Sequence, residues 1–226
     1  MKFSKDTTKR FLKLISIFLL FRYSYILQNI PIVLFNIKNI TPQVQILLSC
    51  FSNLILLLIL FFIYRLDLRI EWKKFKNSFD KSMDSCIKYW FLGLMGMMIS
   101  NILINTLFKL GQAENEQLVQ GMITDFPLVM LLNAGVIAPI IEELVFRKTF
   151  RDTIKGKWAF ILISSLVFGF MHVLVATSLI EMIFIIPYTL LGMAFAYMYY
   201  DTDSIYTSIL AHILHNTILI LISILA

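Results

Sequence analysis

The sequence predicts an all-α, polytopic membrane helix bundle of about seven transmembrane helices, and three observations carry that reading. Hydrophobic residues are 59% of the 226, against about 45–50% in an ordinary soluble domain, and the mean hydropathy is +0.81. Charged residues are only 15% and gather in a few short segments. Between those segments lie apolar runs of about 20 residues, the length a helix needs to cross roughly 30 Å of hydrocarbon. Eight spans, or six with an interfacial helix, are the alternative partitions. No soluble domain fits between the runs, so the chain reads as one membrane domain over 1–226.

Taken in order, the spans fall at 13–35, 45–64, 89–108, 126–147, 158–178, 179–200 and 205–225. Arg22, Gln28, Asn29 and Pro31 interrupt the first. It carries Arg22 and ends in no small-residue cleavage site, so it reads as a retained span and not as a signal peptide. Between the second and third, 69–84 alternates charge with Ile70, Trp72, Phe75 and Phe79, the pattern of a helix lying in the membrane interface or of an amphipathic linker. The apolar stretch 158–200 is too long for one span and divides at a turn near Ala176, Thr177 and Ser178, with Pro187 expected to kink its second half.

The net charge of +6 raises the question of nucleic acid, and the distribution of the charge answers it. Five basic residues precede the first span (Lys2, Lys5, Lys9, Arg10, Lys13), seven lie in 65–88 and five in 147–157. With seven spans all three segments share one side, while Lys38 and Lys109 lie on the other with Glu114, Glu116 and Asp125. By the positive-inside rule the N-terminus is cytoplasmic. The basic excess is therefore a topology signal, and no nucleic-acid partner is expected. Cys50 and Cys86 form no disulfide framework and no metal-binding spacing.

The chemistry concentrates in 126–225, after spans over 13–108 that carry no motif. Glu142 and Glu143 close the apolar run 128–141. Ionisable groups are costly inside a bilayer, so acids there mark a functional site by default. Arg147 follows Glu143 by four residues, the spacing and order of an intrahelical ion pair. Neighbouring helical residues point about 100° apart, so Glu142 is left to face the bundle interior, where it is a credible general base for water. Phe168 shares a helix face with His172, and His212 with Asn216. Small residues beside His172, namely Ser164, Ser165 and Gly169, permit close helix approach. An imidazole and a carboxamide from one turn are donors suited to a developing oxyanion. His215 faces elsewhere and reads as packing or support.

Together, Glu142, Glu143 and Arg147 spell EExxxR, Phe168 and His172 spell FxxxH, and His212 and Asn216 spell HxxxN. These three patterns, in this order over 128–220, resemble the CAAX protease and bacteriocin-processing (CPBP, or Abi) family of intramembrane proteases. The N-terminal half resembles nothing more specific than membrane spans. The resemblance implies a helical membrane fold with a cavity open to the cytosol. It also implies proteolysis of a hydrophobic or membrane-associated peptide, with Glu142 and His172 activating water and His212 with Asn216 forming the oxyanion site. Glu143, Arg147 and Phe168 have supporting roles. It favours a glutamate mechanism without a cofactor; zinc held by Glu142, His172 and His212 is the alternative, since a His-His-Glu set with an open position is a catalytic zinc type. A composition rich in Lys, Ile, Phe and Asn suggests an AT-rich genome and a bacterial cell membrane, where related proteins are associated with bacteriocin immunity and with maturing leader or pheromone peptides. The rival readings are a non-catalytic membrane immunity or scaffold protein and a transporter, whose intramembrane Glu and His would be a proton path.

Overall fold

The computed structural model describes residues 5–225, and Lys2 of the basic N-terminal tail lies outside them. All regular structure among the described residues is helical. Helix α1 is Lys5–Arg22; a 3-10 turn, Ser24–Gln28, leads into the short α2, Asn29–Leu34. Two long helices follow, α3 (Pro42–Asn77) and α4 (Phe79–Phe108), and then the short α5 (Glu114–Asp125). Next come α6 (Pro127–Thr153), α7 (Lys157–His172), α8 (Ile185–Thr202) and α9 (Ile205–Leu225).

Five helices are long and apolar enough to cross a membrane, and six if α1 and α2, bent by 51°, count as one broken span. The expected bundle of about seven spans thus contains five or six helices of crossing length, with α7 a shorter apolar helix beside them. The predicted span 158–178 is helical only to His172, about 24 Å of rise and short of a full crossing. Its path is completed by the turns of 173–184, where Val173 and Phe184 pack against Ile104 and Ala113 at the far end of the bundle. Between these two anchors, residues 174, 175 and 177–180 of the turns are exposed. The chain does turn near 176–178, as expected. Pro187 starts α8 instead of kinking it; in the first turn no hydrogen bond is lost to its missing N–H.

The segment 69–84 is no interfacial helix either. It is the end of α3 and the start of α4, parted only at Ser78. Its charges meet partners from distant segments: Lys74 pairs with Asp203, and Lys81 Nζ donates to the Asp201 carbonyl at 2.6 Å. Arg10 Nη1 donates to the Asp152 carbonyl at 3.1 Å, and Lys13 lies 3.6 Å from its carboxylate. The three basic segments thus gather at one end of the bundle. Buried Glu71 of α3 ties this end together by accepting from Tyr199 Oη at 3.0 Å, from the Ile205 amide at 2.8 Å and from Lys148 Nζ at 3.2 Å.

Around the centre, small residues let helices touch. A Cβ on Gly169 would overlap Thr189 Oγ1 and stand 2.9 Å from the Ile185 carbonyl, so α7 and α8 meet almost backbone to backbone. On the other flank Phe18 and Phe21 of α1 set their rings edge-on to fully buried Phe146 of α6, at 6.4 and 5.2 Å.

Candidate active site

Helix α6 is not a regular α-helix. Two wide turns, Asn133–Ile137 and Glu143–Lys148, have π-type hydrogen bonding, a feature often found at functional sites. Pro139 lies just beyond the first and cannot donate to the Gly135 carbonyl four residues back. That carbonyl receives the Thr217 hydroxyl at 3.4 Å, and its neighbour Ala134 O receives the Asn216 amide at 3.0 Å. The irregular helix and the HxxxN turn of α9 are thereby locked together. Asn216, expected as an oxyanion donor, already spends one N–H on α6; the other is available to a ligand.

Glu142 and Glu143 converge on one imidazole. His212 Nδ1 donates to Glu143 Oε1 at 3.0 Å, and His212 Nε2 stands 3.7 Å from Glu142 Oε2. The expectation that adjacent acids serve different neighbours is corrected: the ring has two polar edges and fits between them. Their environments still differ. Glu143 is fully buried, whereas 18% of the Glu142 side chain is exposed to the cavity.

The Glu143–Arg147 pair forms as expected, at 3.6 Å, but it is not at the membrane boundary. Arg147 is fully buried, stacked 4.2 Å over the Phe168 ring, with Nη2 donating to the Gly192 carbonyl at 3.3 Å. Helix α6 runs on to Thr153, so Glu142 sits roughly 16 Å above that end. His172 sits roughly 22 Å from the start of α7 at Lys157. The two reach similar depth because the motif helix continues well past its arginine.

His172 Nδ1 donates to the Phe168 carbonyl at 2.9 Å. A carbonyl oxygen only accepts, so Nδ1 carries the proton and Nε2 of the neutral ring is a free proton acceptor. The Tyr188 ring stacks on His172 with centroids 4.5 Å apart. Phe168 links the motifs: its ring meets Arg147, His172 (4.3 Å) and His212 (5.8 Å).

Glu142, His172, His212 and Asn216, from three helices, all line one cavity of about 560 Å³. It continues along α9 to Ile222 and Ser223 and is walled by α5. The cavity thus occupies the half of the bundle away from the basic end. A cavity open to the cytosol and a cytoplasmic basic end cannot both hold. Sequence reasoning missed Tyr188, the α5 wall and the receiving carbonyl of Ala134; only Pro139 in an apolar helix signalled the last.

Zinc needs ligand atoms about 2.0–2.2 Å from a common centre. Among the described residues no three His, Cys, Asp or Glu side chains are grouped to hold a metal ion. His212 and His172 each commit Nδ1 to a protein oxygen, which leaves Nε2 as the ring nitrogen that faces a ligand.

Residues 124–218 match the family model for "Type II CAAX prenyl endopeptidase Rce1-like" proteins. The chain is similar to a Bacillus subtilis (strain 168) protein named "Putative membrane peptidase YdiL", with 30% identity over 150 residues. That match covers 65% of this chain and 58% of the relative's length. No solved structure matches the chain.

Proposed function

Because residues 124–218 match the model for type II CAAX prenyl endopeptidases and carry the three motifs, we propose that the chain is an intramembrane endopeptidase of the CAAX protease and bacteriocin-processing family, acting on small hydrophobic or membrane-associated peptides. The observation that carries this reading is the convergence of Glu142, His172, His212 and Asn216 on one cavity. Maturation of leader or pheromone peptides, or bacteriocin immunity, are the roles such chemistry suits in a bacterial cell membrane.

In the proposed reaction, a water between Glu142 and His172 gives up a proton as its oxygen attacks the scissile carbonyl carbon. The Glu142 carboxylate takes that proton, and His172 Nε2 orients the water by accepting a hydrogen bond from its other O–H. The carbonyl oxygen, now an oxyanion, is met by the free N–H of Asn216 and by His212 Nε2 when that ring carries both protons, with carboxylates standing at both of its nitrogens. As the C–N bond breaks, the proton held by Glu142 passes to the leaving nitrogen, and acid and amine products result. No metal takes part.

Glu142→Gln, His172→Ala and His212→Ala should each lower cleavage by at least about 10²-fold. Expression and membrane insertion should be unchanged, and a chelator should leave the wild-type rate intact. Full activity in all three variants would overturn the peptidase reading. If the variants still confer protection in cells, the non-catalytic immunity reading replaces it.

A further inference from the structure

The cavity is larger than the hydrolytic centre requires, and one wall of the remainder carries a charge without a counterion. Glu116 of α5 lines both the 560 Å³ cavity and an adjoining one of about 330 Å³, and Tyr188, His215 and Leu219 are shared by the two. The second leads to the loop at Gly111 and Gln112. A continuous path therefore runs from that loop, past Glu116, to Glu142.

Glu116 is half-buried, and among the described residues its carboxylate receives one hydrogen bond, from Gln120 Nε2 at a weak 3.4 Å. Among the described residues it joins no ion pair. A partly desolvated carboxylate without a cation is unfavourable unless something supplies the charge. Burial accordingly pushes the Glu116 carboxyl above the usual carboxylate range.

We propose, resting on the peptidase reading, that Glu116 is a specificity residue that binds a cationic group of the peptide substrate, a Lys or Arg side chain or a free N-terminal amine. The register follows from the helix that forms the opposite wall. Leu219, which like Glu116 lines both cavities, lies seven residues beyond His212 on α9, roughly 10 Å of rise. An extended peptide advances about 3.3 Å per residue, so the cation falls about three residues from the scissile bond. The rest of the path is lined by apolar groups such as Met97, Leu191 and Ile220, which suits a hydrophobic peptide with one positive charge.

The experiment uses the full chain in lipid nanodiscs with matched hydrophobic peptides. These carry Lys, Gln or Glu at each position within four of the cleaved bond, with free or acetylated N-termini. Wild type should prefer the Lys or free-amine peptide over its neutral partner by about tenfold in kcat/KM, mainly through KM. Glu116→Gln should erase the preference while still cleaving the neutral peptide, and Glu116→Lys should favour the Glu peptide. The free-amine and Lys series tell the two sources of charge apart. An unchanged ratio in Glu116→Gln overturns the proposal. If wild type cleaves none of the peptides, binding of the same set to Glu142→Gln protein decides separately: charge-dependent binding lost in the Glu116→Gln double variant keeps the Glu116 site while the peptidase reading falls, and charge-blind binding removes the site.

Discussion

Arg147 is the largest fully buried side chain among the described residues, and its placement explains why EExxxR needs its second glutamate. Glu143 has two clients: the guanidinium at 3.6 Å and the His212 Nδ1–H at 3.0 Å. Removing one partner of a buried pair strands the other charge, which costs about 3–5 kcal/mol, whereas replacing both is often nearly neutral. Arg147→Met should therefore lower the midpoint of thermal unfolding in detergent sharply, and the Glu143→Gln, Arg147→Met double variant should recover much of the loss without recovering cleavage. A double variant no more stable than Arg147→Met would show that the stacking on Phe168, not charge, dominates. The intrahelical pair was legible in the sequence because four-residue spacing fixes it. The bridge from both glutamates to His212 was not, since it depends on how α9 docks against α6. The donation of Asn216 to Ala134 O is likewise a tertiary event that no local spacing encodes.

At the level of helices, the apolar runs located every long segment but misjudged where helices end. Hydropathy reads Trp158 onward as one membrane-length piece, yet α7 stops at His172. Similarly, α3, α4 and α6 run well past their apolar stretches, because interhelical ion pairs and not lipid stabilise those ends. The small residues were a better guide. Gly169 was expected at a close contact, and a Cβ there would meet backbone on α8. Gly169→Ala should cost about 1–3 kcal/mol through overpacking and loosen the His172 helix. Gly121 in α5 has nothing within 4 Å of its would-be Cβ, so Gly121→Ala should be neutral or stabilising by up to about 1 kcal/mol. Thermal unfolding of the two variants side by side checks both; equal midpoints would mean that α7 and α8 can separate at little cost.

For the whole molecule, the three basic segments were expected on one side, and their shared partners Asp152, Asp201 and Asp203 place the described ones at one end. What the chain pattern could not reveal is which end the cavity faces, because α5 is too short and polar to register as a span yet closes one wall. The positive-inside expectation of a cytoplasmic basic end predicts a cavity that opens toward the opposite face of the membrane. In a background with Cys50 and Cys86 replaced by serine, exposed Gln117→Cys on α5 should react with an impermeant maleimide in intact cells. Exposed Lys155→Cys should react only after permeabilisation. The reverse pattern would invert the bundle and return the cavity to the cytosol.

The Glu71 junction has a mechanical corollary. One carboxylate receives the first amide of α9, a tyrosine of α8 and a lysine of α6, so four helices are stitched at the base of a vessel. Breathing that admits a guest must then happen at the rim, where the short α5 is the movable piece.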